Sequence, residues 1–537
     1  MRERGERGSR TRRCPETRSR RPDPGQRAAC PSSSPPCTLH ASSRECLAVK
    51  EIHPQRKSEG GARRYRFRPR VFDLSSDVAR AAASVELFEL LGRLRGHRPV
   101  LLDSAGGRPA RFSLLAFDPL PIGTPASLGE LRRLHGRLES KKGDPVPGFF
   151  HGGFLGALAY EAVREFEPEL VLPDDPLGLP SLVGGFYTDF LVRDERSGGL
   201  SLVLGEDPGD ARPSLEERRA RIVRALEGDD SRSSLIFHAQ PKRHVSKDVH
   251  LQRIERARDW IARGEIYQAN VTQRFSREVE GSPGELYRCL RALQPTPYAG
   301  FLSFEGGALL SASPELLLEY IPPSDDTCAA LARTRPIKGT APRSADPDLD
   351  RVNAKGLLQS EKDLAELGMI VDLERNDLGR IASTDSVRVD GYPTLESYST
   401  VHHLAADVTC RPVPEADALT CLQSLFPGGS ITGAPKLRSM EILSELEEEG
   451  RGFFYGSLFS LDTRGRMQAN LLIRTLVWRE AIEKGERARV HYRVGGAITW
   501  SSDPELEERE CRWKGEALAR ALGGEGGRAI SPLLLPR

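Results

Sequence analysis

Long apolar runs are missing from this chain: no stretch approaches the ~20 consecutive apolar residues that a membrane-spanning helix needs, which excludes a helical membrane protein. An excess of one charge is missing as well. The 78 Lys and Arg nearly balance 76 Asp and Glu, a formal +2, so nothing in the composition asks for nucleic acid or another polyanion. Paired cysteines are absent: none of the nine sits in a C-x-x-C, which argues against a structural zinc site. The number is odd and no apolar secretory segment precedes them, so reduced thiols and a cytoplasmic location are expected. A nucleotide-hydrolase loop is ruled out too. Gly428 and Gly433 have the right spacing, but Ala434 stands where such a loop requires lysine.

What is present divides unevenly. Residues 1–65 are dominated by Arg, Pro, Ser and Gly without apolar periodicity, and are expected to be a disordered extension. From residue 66 short apolar runs such as Val100-Leu101-Leu102 and Phe112 to Phe117 alternate with turn residues, the pattern of a sheet-rich fold. A polar stretch, Gly228 to Ser234, marks a boundary in the region 227–245. It separates an N-terminal domain (66–240) from a second (245–523), with a flexible tail over 524–537. In the second half Ser246 can cap a helix carrying Leu251, Ile254, Ala257 and Ile261, with Gly264 to end it. A strand follows, with Gln268, Asn270, Thr272 and Arg274 on one face. A face so polar must meet water or a polar ligand.

Three segments carry chemistry. Near the C-terminus Asp503 is a good N-cap and Pro504 suits a first helical position. Glu507, Glu510 and Lys514 then project from one face, while Trp513, Ala517 and Ala521 form an apolar stripe. Taken alone this is an ordinary solvated helix face; as a site it offers carboxylates for a hard cation and an ammonium for an anion. A second helical pattern, Leu357 to Val371, carries Glu366 and runs into Asp372-Leu373-Glu374-Arg375-Asn376-Asp377. The third segment, Phe426 to Lys436, is a Gly-rich loop entering a helix, where free N–H groups suit a carboxylate.

Together with Ser313-Pro314-Glu315, Pro336-Ile337-Lys338-Gly339-Thr340, Val401-His402-His403-Leu404, Arg474 and Gly495-Gly496, these segments resemble the chorismate-binding enzymes. That family includes anthranilate, aminodeoxychorismate, isochorismate and salicylate synthases. The likeness runs over about residues 98–520, and in the first half rests on Leu101-Leu102-Asp103-Ser104 and Ala159-Tyr160-Glu161. It implies an α/β fold with a large two-sheet core wrapped by helices. It also implies Mg²⁺ held by Glu366 and Glu510 with Glu507 assisting, and chorismate bound by Gln268, Thr340, His403, Gly429, Thr432, Tyr455, Arg474, Gly495, Gly496 and Lys514. Ser104, Pro297 and Tyr298 match segments that bind tryptophan in relatives.

Two positions bear on which reaction is run. Water-adding members carry a lysine base where this strand has Gln268, which favours ammonia as the nucleophile. Anthranilate synthases resemble Pro-Ile-Ala-Gly-Thr where this chain has Lys338, and the lysine form is characteristic of the aminodeoxychorismate branch. There Lys338 would be a covalent nucleophile and Glu315 a general acid. With no Gly-x-Cys-x-Gly elbow, ammonia is expected from a separate glutaminase subunit and pyruvate removal from a downstream lyase. Anthranilate formation is the rival activity, and a silent chorismate- or tryptophan-binding regulator the rival class. The inserted-looking segment Ile321 to Arg333, with Asp325 and Asp326, is expected to be a surface loop that leaves Glu315 and Lys338 in place.

Overall fold

The computed structural model describes residues 63–74, 86–104, 111–209, 211–227, 234–324, 329–398, 401–481, 483 and 485–523. The Arg-rich segment 1–62, most of the polar stretch 228–234, Asp325, Asp326 and the tail 524–537 lie outside the described residues.

Among these residues the strands assemble into two sheets, one of thirteen strands and one of nine. Strand runs that read as continuously apolar do so because both faces are covered. Val100 and Leu302 point into one core while their neighbours Leu101 and Phe301 point into another, as the two-residue period of a strand requires. The first core is shared by the two sheets, and the second lies between the larger sheet and helices. Both sheets take strands from either side of residues 227–245. The larger is joined across it where Ala299–Phe304 pairs antiparallel with Val100–Asp103. The smaller is joined where Ser457–Asp462 pairs with Gly153–Leu158. At this second joint Gly156 is required, because a Cβ there would strike the Val183 carbonyl of the next strand.

The helices α1 (Leu128–His135), α2 (Leu215–Glu227), α3 (Lys247–Ala262), α4 (Pro283–Leu293) and α5 (Pro347–Leu358) precede the site-bearing ones. These are α6 (Glu361–Gly379), α7 (Ala418–Leu425), α8 (Lys436–Glu447) and α9 (Pro504–Ala521). Ser246 caps α3 and Asp503 caps α9 through side-chain bonds to Val249 N and Leu506 N, as their sequences predict. The expected single pattern over 357–371 is two helices. Ser360 breaks it and caps α6, which then continues through Asp372 to Asp377. On α9 the packed stripe is Cys511, Gly515, Leu518 and Ala521, whereas Trp513 is about half exposed. Ile321 ends one strand and pairs with Leu331 at the start of the next, so the connection runs over 322–330 rather than 321–333. No described helix is long and apolar enough to cross a membrane.

Candidate active site

A cavity of about 520 Å³ opens between α6, α9 and the edges of both sheets. It collects Glu315, Lys338, Thr340, Glu366, His403, Tyr455, Arg474, Gly495, Glu507, Glu510 and Lys514, residues separated by up to two hundred positions.

Lys338 sits on a short strand, Ile337–Pro342, whose pairing with Val401–Cys410 slips by one residue between Lys338 and Thr340. The slip is a bulge at Gly339, which has φ +69 and leaves no room for a side chain against Leu357 and Asp363. The Gly339 carbonyl accepts a hydrogen bond from His403 Nδ1 at 2.9 Å. That bond fixes the imidazole tautomer and leaves Nε2 as a buried lone pair without a protein partner, on a ring that lines the cavity. Burial pushes the His403 pKa down to about 4, with Arg474 adding to the shift, so the ring is neutral at pH 7.

Glu315 precedes its strand in a sharp turn held by Ser313, and Ser430 Oγ donates to its carboxylate at 2.7 Å. Burial raises the Glu315 pKa to about 7 against the opposing pull of Ser430, Lys338 and Arg474. Lys338 moves the other way. Its burial lowers the pKa and Lys514 adds to the fall, against Glu366, Glu315 and Glu510. A carboxyl whose pKa is raised and an amine whose pKa is lowered are thus placed in one cavity, shifts that bring both toward the range acid–base chemistry needs.

On the opposite wall α6 and α9 face each other with carboxylates and ammonium groups. Lys514 Nζ lies 2.7 Å from Glu510, and Lys362 Nζ lies 3.8 Å from Glu366. Glu507 is buried and accepts from Ser502 Oγ at 2.7 Å; burial raises its pKa, and the nearby charge of Glu510 adds to that. No trio of His, Cys, Asp or Glu among the described residues is drawn tightly together. The donor set nevertheless suits a hard cation: oxygen only, drawn from two helices, with repulsion between carboxylates for the ion to relieve.

Some expected residues stand elsewhere. Gln268, Gly429, Thr432 and Gly496 do not line the cavity. Thr432 Oγ1 is spent on the Gly428 carbonyl, and Gly429 packs against Leu373. Gln268 is fully buried with both amide atoms unpaired. Of the polar strand face, Asn270 reaches the cavity, while Thr272 and Arg274 bond Glu447 and Glu449 rather than water. Ser104, Pro297 and Tyr298 do meet, around a separate cavity of only about 30 Å³. Lining residues not anticipated are Ser430, Lys362 and Arg493. Lys362 had a sequence signal in its position one turn before Glu366, and Ser430 in its place within the Gly-rich loop.

Comparison with known proteins identifies the family. The family described as chorismate binding enzyme matches residues 116–520. An anthranilate synthase component 1 from Streptomyces coelicolor is 36% identical over 442 residues, covering 79% of this chain and 83% of its own. An aminodeoxychorismate synthase component 1 from Bacillus subtilis is 32% identical over 463 residues, covering 82% and 94%. Among solved structures, anthranilate synthase component I from Streptococcus pneumoniae superimposes with a TM-score of 0.64 at 29% identity, covering 77% of this chain and 93% of its own. The Escherichia coli isochorismate synthase MenF, 18% identical with a TM-score of 0.63, shares the fold. The chain belongs to the chorismate-binding enzyme family and acts on chorismate, within the group formed by component I of anthranilate and aminodeoxychorismate synthases.

Proposed function

We propose that this protein is an aminodeoxychorismate synthase component I, which replaces the ring 4-hydroxyl of chorismate with an amino group on the way to p-aminobenzoate. The observation that carries the reading is Lys338, an amine buried in the same cavity as Glu315, its pKa lowered by that burial while the Glu315 carboxyl is raised to about 7.

The amine of Lys338 forms a bond to ring carbon 2 as both ring double bonds shift round the ring toward carbon 4 and the carbon 4 hydroxyl leaves. Glu315 gives its proton to that hydroxyl, which departs as water. Ammonia then bonds to carbon 4, both ring double bonds shift back, and the carbon 2–nitrogen bond breaks to return the lysine. The proton surplus on the new amine returns to Glu315. Neutral His403 offers Nε2 as an acceptor and so orients a substrate hydroxyl without competing as a base. Arg474, Lys514, Tyr455 and the Gly495 backbone bind carboxylates. Glu366 and Glu510, with Glu507, would hold Mg²⁺, whose positive charge grips the ring carboxylate when bound.

Ammonia would come from a separate glutaminase subunit and the product would pass to a lyase. A cytoplasmic setting accords with Cys289, Cys410, Cys421 and Cys511, all buried and free. The second reading is anthranilate formation, favoured by the 36% identity to the Streptomyces coelicolor protein. Incubation of the protein with chorismate, Mg²⁺ and an ammonium salt, followed by mass analysis, separates the two. Aminodeoxychorismate, converted to p-aminobenzoate by added lyase, is the expected product; direct release of fluorescent anthranilate with pyruvate would reject the proposal.

A further inference from the structure

The pair Tyr160-Glu161 belongs to the first half of the chain and lines no part of the cavity, yet it lies behind it. Glu161 is buried, on the turn that follows the strand Gly153–Leu158. Its two oxygens accept from the backbone N–H groups of Arg451 at 2.5 Å and Gly452 at 3.0 Å. Tyr160 N donates to the Gly452 carbonyl at 2.7 Å, and Gly450 N donates to the Asp174 carbonyl at 2.9 Å. One short turn is therefore held from four backbone atoms by the far half of the chain.

That turn needs holding. Gly452 has φ 58, and Tyr455, three residues on, has φ 68, a conformation costing a non-glycine residue about 1–2 kcal/mol. Such residues persist where the surroundings over-determine them. The turn is locked to the segment bearing Arg474 by Tyr455 N donating to the Leu472 carbonyl and Leu472 N to Gly456, both at 2.9 Å. Arg474 is itself left-handed, with φ 51.

Arg451 extends the hold. Its guanidinium is sandwiched between the rings of Tyr160 and Tyr455, 4.7 and 5.1 Å from their centroids. Its Nη1 donates to the Ile431 carbonyl at 3.0 Å and its Nη2 to the Asn270 carbonyl at 2.8 Å. Glu447 neutralises it through Nε and Nη2. Ile431, Asn270 and Tyr455, three cavity-lining residues from distant segments, are thus tied to one side chain.

We propose that Glu161 is a positioning residue, which acts with Arg451 to hold Tyr455 against the substrate in the reaction assigned above. This rests on chorismate binding in the cavity. Glu161 touches no substrate and works through the Arg451–Gly456 turn. Since Tyr455 binds substrate and transition state alike, its displacement weakens binding more than turnover.

The test is a double-mutant cycle read by steady-state kinetics with chorismate, Mg²⁺ and an ammonium salt. Glu161→Gln keeps the side-chain volume but replaces one acceptor with an N–H donor aimed at a backbone N–H. It should raise KM for chorismate about tenfold with kcat within about twofold, and Glu161→Asp should recover part of the loss. Tyr455→Phe should raise KM by itself, and the double variant Glu161→Gln with Tyr455→Phe should be no worse than the poorer single. If the two KM effects multiply, or Glu161→Gln leaves KM unchanged, the positioning role is overturned. Should Glu161→Gln fail to fold, Arg451→Lys keeps the charge opposite Glu447, loses the fork to Ile431 and Asn270, and carries the same cycle with the same outcomes. A wild-type protein with no chorismate-dependent turnover would instead reject the functional reading on which the proposal stands.

Discussion

The two walls of the cavity are built from the same kinds of charged residue used in opposite ways. On the front wall, α6 and α9 carry Glu366, Glu510, Lys362 and Lys514 in single contacts of 3.8 and 2.7 Å, and both lysine side chains remain well exposed. Pairs of this type contribute about 0–1 kcal/mol and exchange readily. On the rear wall Glu447, Arg451 and Arg493 are almost wholly buried. Both Arg493 Nη atoms are engaged, with Glu447, Thr272, Glu449 and the Gly450 carbonyl. Front-wall charges are free to trade partners for a metal or a carboxylate. Rear-wall charges are committed to one another and to the backbone around them.

If that division is right, changes at the reacting groups should dominate. Lys338→Ala should lower chorismate amination at least about a thousandfold, the scale of a lost covalent route, with chorismate still bound in equilibrium measurements. Full activity in that variant would remove covalent catalysis from the scheme.

Glu315→Gln comes next, with kcat down about a hundredfold or more as a general acid is lost. Its pH profile is the sharper test. The acid works protonated and its pKa is raised to about 7, so wild-type activity should fall as pH rises through 7. The glutamine variant should lose that limb; a profile unchanged in shape would assign the proton to another group.

The rear wall should fail differently. Glu447→Gln leaves Arg451 and Arg493 without their shared counter-charge and should destabilise the fold by about 3–5 kcal/mol, measured by thermal or denaturant unfolding. Charges of surrounding arginines outweigh burial and hold the Glu447 pKa below the ordinary value. Relative to Glu447→Gln, the wild-type advantage is therefore present above the unfolded carboxylate pKa and fades as pH falls through the depressed folded value. A variant as stable as wild type would erase the contrast between the walls.

The smallest effect belongs to Lys362, which would compete for Glu366 with the divalent ion of the proposed site. Lys362→Gln should tighten Mn²⁺ binding, followed by electron paramagnetic resonance, about two- to fivefold, since the group is largely exposed and screened. Weaker binding would mean that the lysine supports the metal site instead.

The same contrast explains what could be read beforehand. Front-wall residues belong to helices with plain caps and spacing, so Ser360 apart, α6 and α9 announce their ends and the face bearing Glu507, Glu510 and Lys514. Lys338 and Glu315 stand in compact motifs, and their opposed pKa shifts follow from joint burial. The rear wall depends on contacts such as Glu161 with Arg451, 290 positions apart, which no local period encodes. Thr432 and Gly496 lie one residue beyond the lining Ile431 and Gly495, Gly429 one before Ser430, and Gln268 two before Asn270, for a related reason. A motif marks a segment, but which residue of it faces the cavity is decided by turns such as Gly429–Ile431 and by strand register. Trp513 looked like core because helical spacing cannot say which stripe the larger sheet covers.

The joint between Gly153–Leu158 and Ser457–Asp462 carries a cost during synthesis. Phe154 meets Leu461 across it, a partner made more than 300 positions later. At about 5–20 residues per second the ribosome takes roughly 15–60 s to deliver that partner. Until then one side of an apolar strand has its hydrogen-bonding groups uncovered, an invitation to other chains. Slower initiation, lower temperature or a holding chaperone should therefore raise the yield of folded protein more than any change around the cavity.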